Sequence, residues 1–347
     1  MKHETQRVVV ITGASSGIGK ATALRFARNG DTLVLAARRK NLLKDLVNEI
    51  EQQGAEGVSV ETDVADSRSV EKLANTAVKK FGHIDVWIND AGVGAIGPFH
   101  EVPLEDHERV LDTNLRGTLY GSYQAIKQFR NQEYGTLINI SSVLGKVTQP
   151  FMTSYAASKH AVRALSGCIR QELWLDDLDE IHVCTVFPES VDTPFFRNEA
   201  NYSGYEVKPT PPIETPEHAA EVIFSLAEDP RDEVHVGKMG KWISEQQKVA
   251  RGTTEKQMAW MIDRKHFDRS RKEAHNSGAL HAPNTSKGRI RGGWKNGGSK
   301  ELRWKEDAGS SSAAKPLKIA GIVAPAAVGI FLFIKNRRRS EGLSAAA

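Results

Sequence analysis

Tyr155 and Lys159 sit four positions apart in Thr153-Ser-Tyr-Ala-Ala-Ser-Lys-His-Ala-Val162. On a helix this spacing puts both side chains on one face, about one turn apart. An ammonium beside a phenol favours the phenolate and lowers a pKa that is about 10 when unperturbed. A tyrosine tuned in this way can exchange a proton with an alcohol or a ketone near neutral pH. The pair alone is unspecific, because Tyr-x-x-x-Lys also arises on any solvated helix. A second chemical feature lies near the start of the chain. Gly13-Ala-Ser-Ser-Gly17-Ile-Gly19 follows the β-branched run Arg7-Val-Val-Val-Ile-Thr12 and precedes the helical pattern Lys20–Ala27. Strand, glycine turn and helix start form a phosphate site, because amides and the positive helix end face the anion and glycines let it approach.

These residues need a scaffold, and the first 245 positions supply one. Short β-branched runs, Thr32–Ala37, Gly57–Thr62, Ile84–Asn89, Gly135–Ser142 and Glu180–Phe187, alternate with helical patterns. The helices run over Asn41–Gln53, Ser67–Phe81, Pro103–Asn131, Tyr155–Trp174 and Thr215–Ala227, with a weak last strand over Asp232–Gly237. Such alternation reads as an α/β fold with a parallel sheet. Ser141 and Ser142 close one strand at its carboxyl end, where open parallel sheets bind ligands. Adjacent strand residues point to opposite faces, so only one of the two serines can aim at a site there.

The loop Thr12-Gly-Ala-Ser-Ser-Gly-Ile-Gly19 is spaced Gly-x-x-x-Gly-x-Gly and, with Tyr155-x-x-x-Lys159, resembles the short-chain dehydrogenase/reductase (SDR) family over about residues 5–240. The resemblance implies a Rossmann-type, doubly wound, mainly parallel seven-stranded sheet. It implies a catalytic set of Tyr155, Lys159, Ser142 and Asn114, with Ser142 chosen over Ser141 by its thirteen-residue lead on the tyrosine. It also implies cofactor contacts from Gly13, Ser15, Ser16, Gly17, Ile18 and Gly19, from Asp63-Val64 beside the adenine, and from Asn89, Ala91 and Gly92. Tyr155 and Lys159 would contribute again, with Pro188 and Thr193 near the nicotinamide. Ala37 stands where NAD-preferring relatives carry an acid, and Arg38 follows it. An arginine there accommodates the 2′-phosphate of NADP, so NADP(H) is the expected cofactor, with a solvated basic helix start as the plainer alternative. No metal is assigned. Two positions depart from the family pattern: Asp90 replaces an asparagine, and Glu189 replaces a glycine after Pro188. Glu189 reads either as a substrate-pocket residue or as a solvated loop carboxylate. Residues 195–212, with Phe195-Phe196, resemble the variable substrate lid, and their aromatics suggest an apolar substrate.

Charge divides the chain. Residues 1–245 hold 26 Lys and Arg against 35 Asp and Glu, residues 246–315 hold 16 against 7, and residues 316–347 hold 5 against 1. An acidic body thus carries a basic appendage. Cys168 and Cys184 lie in apolar surroundings and read as buried free thiols of a reducing compartment. Within 246–315, residues to Phe267 have helical character, with Met258, Trp260, Met261 and Ile262 as a docking stripe. Residues 270–314 read as a mostly disordered linker. Gly288–Gly298 has the basic and aromatic content to touch RNA or anionic lipid, with a plain solvated linker as the simpler reading. Leu317–Ile334 contains 16 uncharged residues from Ile319 onward, roughly 24 Å of helix against a hydrocarbon core of about 30 Å. Lys318 and Lys335 can snorkel. The segment is expected to anchor the protein to a membrane, spanning it or lying on it, or else to dock as a helix on the domain or a partner. Lys335–Arg339 points to a cytoplasmic C-terminus, whereas the free thiols and the nucleotide site favour a catalytic domain facing the cytoplasm.

Three domains are therefore expected: 1–245 catalytic, 246–315 linker and 316–347 anchor. The expected reaction is NADP-dependent interconversion of an alcohol and a ketone or aldehyde, on an apolar small molecule. A homodimer or tetramer is compatible, and nucleic acid is not a favoured partner. The rival reading is a catalytically silent, cofactor-sensing membrane scaffold of the same fold.

Overall fold

The computed structural model describes residues 6–284 and 288–295. Seven strands form the central sheet: β1 Val8–Thr12, β2 Thr32–Ala37, β3 Gly57–Glu61, β4 Val86–Asn89, and then Gly135–Ile140, Ile181–Pro188 and Glu233–Val236. In spatial order the sheet runs β3-β2-β1-β4, followed by the last three strands in sequence order. Every neighbouring pair is parallel. The order reverses between β1 and β4, and a doubly wound sheet opens its ligand crevice at such a switch point.

Period-two alternation builds two cores from one strand. Val9 and Ile11 of β1 join one apolar cluster with Leu33, Leu35 and Ile138, while Val8 and Val10 join the other with Val34, Trp87 and Leu137. Both faces of the sheet are covered by helices, which is why the strands read as continuous apolar runs. Helix boundaries follow local signals. Asp66 caps Ser67–Phe81 by accepting from the Arg68 amide at 3.0 Å, and Gly82 ends it in the left-handed region at φ 84°. Thr215 caps Pro216–Glu228 through the His218 amide at 3.2 Å, with proline at the first turn.

The long helical stretch after Pro103 differs from expectation in one respect. Leu104–Leu111 and Gly117–Gln132 are joined by a turn of π-helix, Asp112–Arg116. The widened turn carries Asn114, which is fully buried, and such insertions are common at functional sites.

Beyond 245 the helical character expected as far as Phe267 is present, and the described part of the stretch 270–314, which reads as mostly disordered from its composition, is held against the body. Met239–Val249 and Arg251–Lys265 are helices, and Phe267–Lys272 pairs antiparallel with Tyr205–Val207. All of the described residues, through Lys295, fall in one compact unit. Composition was a poor guide because the segment is held through ion pairs and backbone bonds to the acidic body. Examples are Arg291 to Glu217 at 2.9 Å and the Gly17 amide to the Arg289 carbonyl at 3.0 Å. Of the docking stripe, Met258 and Ile262 are buried while Trp260 is exposed, since two residues cannot share an inward face with a third two positions away. Cys184 is buried, but Cys168 lies on the exposed face of Thr153–Leu175. Among the described residues no helix is long and apolar enough to cross a membrane. Leu317–Ile334, Lys335–Arg339 and Asn296–Gly298 lie outside the described residues.

Candidate active site

A cavity of about 500 Å³ opens along the carboxyl ends of the strands. Its floor at one end is the glycine turn between β1 and the helix Gly17–Ala27. Gly13 has φ +74°, and a Cβ there would come within 2.8 Å of the Ala91 amide nitrogen, so a side chain is excluded by both conformation and space. At Gly19 a Cβ would fall 2.6 Å from the Gly13 carbonyl oxygen. Gly13, Ser15, Ser16, Gly17, Ile18, Arg38, Asp63, Val64, Ala91, Gly92, Pro188 and Thr193 all line the cavity, together with Tyr155, Lys159 and Ser142.

Three expected residues stand behind this wall instead. Gly19 packs the helix onto the turn. Asn89 lies in a buried polar network, accepting from Trp87 Nε1 at 2.8 Å and donating to Asn139 Oδ1 at 2.9 Å. Asn114 donates from Nδ2 to Val93 O at 3.0 Å and Ser158 Oγ at 3.1 Å, and its Oδ1 accepts from the Val93 amide at 2.9 Å. It fixes the loop after Ala91-Gly92 to the helix that bears Tyr155 and Lys159.

That helix, Thr153–Leu175, brings the proposed chemistry together. Lys159 Nζ donates to the Ile140 carbonyl at 2.8 Å and lies 5.6 Å from the centre of the Tyr155 ring. Tyr155 and Ser142 both line the cavity, and the serine hydroxyl acts on the phenol against the effect of burial. Ser142 also accepts from the Leu144 amide at 3.1 Å, which starts the short 3₁₀ turn Val143–Gly145. Ser141 points elsewhere, donating to the Lys159 carbonyl at 2.9 Å.

Electrostatics in the cleft run against the expectation drawn from Tyr155 and Lys159 alone. Burial pushes the Tyr155 phenol above its ordinary value; the Ser142 hydroxyl opposes this, and the carboxyls of Glu199 and Asp90 add to it. Burial also brings Lys159 down to about 8, against the pull of Asp90. Asp90, raised to about 7 by burial, is held back by Lys159 and by the Gly19 amide. The departure from asparagine at position 90 therefore places a titrating group beside the lysine. Burial is the largest influence on the state of the phenol.

The adenosine end is cationic and already engaged. Arg38 donates to the carbonyls of Leu280 at 2.9 Å and Ala279 at 2.6 Å. Arg39 donates to Ser15 Oγ at 2.8 Å and Ser16 Oγ at 2.7 Å, so it stands directly over the glycine turn. Asp63 pairs with Arg109 at 2.7 Å; that bond and the Ala65 amide outweigh burial and hold its carboxyl below the usual range. Glu189 is tied into the fold, accepting from the Gly240 amide at 2.6 Å at the head of Met239–Val249, while burial raises it. Thr193 lines the cavity, and its carbonyl accepts from Trp294 Nε1 at 3.1 Å.

The outer cavity is aromatic and apolar. Phe195 meets the Tyr155 ring edge-on at 5.6 Å, Phe196 follows Phe195 at 5.5 Å, and Met152, Met258 and Met261 complete the wall. Sequence reasoning missed Glu199 and His266 here. Both are buried and both line the cavity, and among the described residues neither carboxyl oxygen of Glu199 has a hydrogen-bond partner. Nothing in their sequence context marks them. Arg39 carried a visible signal as the second basic residue after β2.

The arrangement suits a nicotinamide dinucleotide. The glycine turn gives close backbone approach, Arg38 and Arg39 supply positive charge at one end, and Ser142, Tyr155 and Lys159 converge at the other. Comparison with known proteins agrees. The short chain dehydrogenase family profile matches residues 7–202. An uncharacterised Bacillus subtilis oxidoreductase, YxnA, is 35% identical over 248 residues, 70% of this chain and 69% of its own. A Staphylococcus epidermidis diacetyl reductase, (S)-acetoin forming, is 34% identical over 168 residues, 48% of this chain and 65% of its own. Among solved structures, a Burkholderia phymatum short chain dehydrogenase/reductase in complex with NAD superposes with a TM-score of 0.65 at 26% identity. It covers 74% of this chain and 97% of its own. An alcohol dehydrogenase from Thermococcus sibiricus complexed with 5-hydroxy-NADP gives 0.58 at 27% identity, over 66% and 95% of the two chains.

The chain belongs to the short chain dehydrogenase family. It is an oxidoreductase of that class, acting on CH–OH groups with a nicotinamide cofactor.

Proposed function

We propose that this protein uses NADP(H) to interconvert an alcohol and a ketone or aldehyde on a largely apolar small molecule. One observation carries the reading: Ser142, Tyr155 and Lys159 converge at the inner end of a cavity whose outer wall is Phe195, Phe196, Met258 and Met261. Bound nicotinamide supplies or takes up the hydride, and the chain's residues manage the oxygen. Tyr155 Oη moves the proton at the reacting oxygen, and Ser142 Oγ holds that oxygen by a second hydrogen bond. A phenol raised by burial keeps its proton at neutral pH, which is the state that reduction of a carbonyl requires. Lys159, anchored on Ile140 O, places positive charge beside the phenol as negative charge develops. Asn114 positions the helix that carries both residues.

The choice of NADP rests on Arg38 and Arg39, whose guanidinium groups suit a 2′-phosphate. Removal of the phenol oxygen tests the chemistry. Tyr155→Phe should lower NADPH-linked carbonyl reduction by at least about 10²-fold while NADPH still quenches protein fluorescence on binding. Turnover close to wild type in that variant would sink the assignment.

A further inference from the structure

Glu199 is only 5% exposed, and among the described residues neither carboxyl oxygen has a hydrogen-bond partner. Its backbone is fixed on both sides. The Glu199 amide donates to Phe195 O at 2.9 Å and the Ala200 amide to Gly94 O at 2.9 Å, in the parallel pair Ala200–Asn201 with Ala95–Ile96. The side chain therefore has a settled place, against Gly94 and Phe195. A Cβ on Gly94 would come 2.8 Å from the Phe195 ring and 2.9 Å from Glu199 Oε2. Phe195 is in turn the ring that meets Tyr155, so the carboxyl sits in the cavity wall one aromatic ring away from the reacting phenol.

Buried polar groups are almost always satisfied, and one left without a partner carries a free-energy cost. A leucine of similar size would fill the same place without that cost. Among the described residues the Glu199 carboxyl bonds no backbone group and no side chain, so the fold does not account for it. Burial, with Glu273 nearby, keeps it far above the usual carboxylate range. Such a carboxyl donates and accepts while it holds its proton, and accepts from an ammonium once the proton has left.

We propose that Glu199 is a specificity residue, binding a hydroxyl or ammonium donor that the substrate carries close to the carbon served by Tyr155. The inference rests on Tyr155 being the proton-transferring group. It sharpens the substrate class from plain apolar ketones to carbonyl compounds with a neighbouring hydrogen-bond donor. A site built around a buried polar group rejects the analogue lacking its partner, because the group is then left unpaired.

The test compares an aryl alkyl ketone with its α-hydroxy and α-amino analogues. Wild-type kcat/KM with NADPH should favour one of the donor-bearing compounds by at least about tenfold. In Glu199→Leu that ratio should fall to within about twofold of one. Glu199→Gln keeps a neutral donor and acceptor, so it should retain a preference for the hydroxyl compound but lose one for the ammonium compound, which needs a carboxylate. A wild-type ratio near one, or a ratio unchanged in Glu199→Leu, overturns the proposal. Calorimetric binding of the same ligands to Tyr155→Phe separates the two levels. Donor preference persisting there, with wild-type turnover insensitive to the tyrosine, would refute the role of Tyr155 and leave Glu199 as the recognition group. No donor preference in binding, with turnover lost, would refute only the role of Glu199.

Discussion

Asp90 gives a prediction whose magnitude follows from its surroundings. Its carboxyl is carried from 3.8 to about 7, chiefly by burial. At 1.36 kcal/mol per pKa unit this corresponds to about 4 kcal/mol at most. Because the folded pKa is raised, the native state binds more protons than the unfolded chain between the two values, and stability falls as pH rises through that window. Below about 4 the carboxyl is protonated in both states and imposes nothing; above about 7 the whole cost is present. Asp90→Asn, which restores the family's amide, removes this dependence. The attraction between Asp90 and Lys159 is already contained in the value of about 7, so the gain is bounded by the same figure. We expect the variant to exceed wild type by about 2 kcal/mol more at pH 8 than at pH 4. Urea unfolding of both cofactor-free proteins across that range measures it, and every other titrating group cancels in the difference to first order. A difference flat with pH, or one that shrinks as pH rises, would refute the placement of Asp90 in a poorly solvated wall.

Three further outcomes bear on separate parts of the molecule. Arg38→Ala and Arg39→Ala should each reduce the NADPH-to-NADH ratio of kcat/KM by about 10- to 100-fold, the worth of a charge-assisted hydrogen bond; an unchanged ratio in both would remove the argument for NADP. Ile262→Ala should cost about 2–5 kcal/mol, because Ile262 is 1% exposed in a cluster with Ile96, Met152 and Met258. A loss under about 1 kcal/mol in chemical unfolding would show that the helix Arg251–Lys265 is not part of the cooperative unit. Glu199→Leu should raise the melting temperature of the ligand-free protein, since it deletes a buried unpartnered carboxyl, and a lowered melting temperature would mean that Glu199 has a structural partner after all.

The sheet was legible because its strands are buried on both faces, so each is a β-branched run bounded by a glycine or a cap. The converging site was legible because strand ends and one helix face fix it by spacing alone: Ser142 closes a strand, while Tyr155 and Lys159 are one turn apart. What spacing cannot carry is the balance of burial against charge. The same ammonium that should lower the phenol is itself desolvated, and Asp90 shares its field, so the sign at Tyr155 emerges only in three dimensions. The described stretch after Ser270 reads as a linker for a different reason. Its anchors to the cofactor end are carbonyl oxygens, Ala279, Leu280 and Arg289 accepting from Arg38 and Gly17, and a backbone acceptor has no signature in residue type. Those anchors also alter how the cleft must work. Arg38 and the Gly17 amide, which a dinucleotide phosphate would use, are both bonded to the chain's own carbonyls. A cofactor that bonds Arg38 and the Gly17 amide through its phosphates would have to exchange those bonds for its own, so the Ala279, Leu280 and Arg289 carbonyls compete with it at this end.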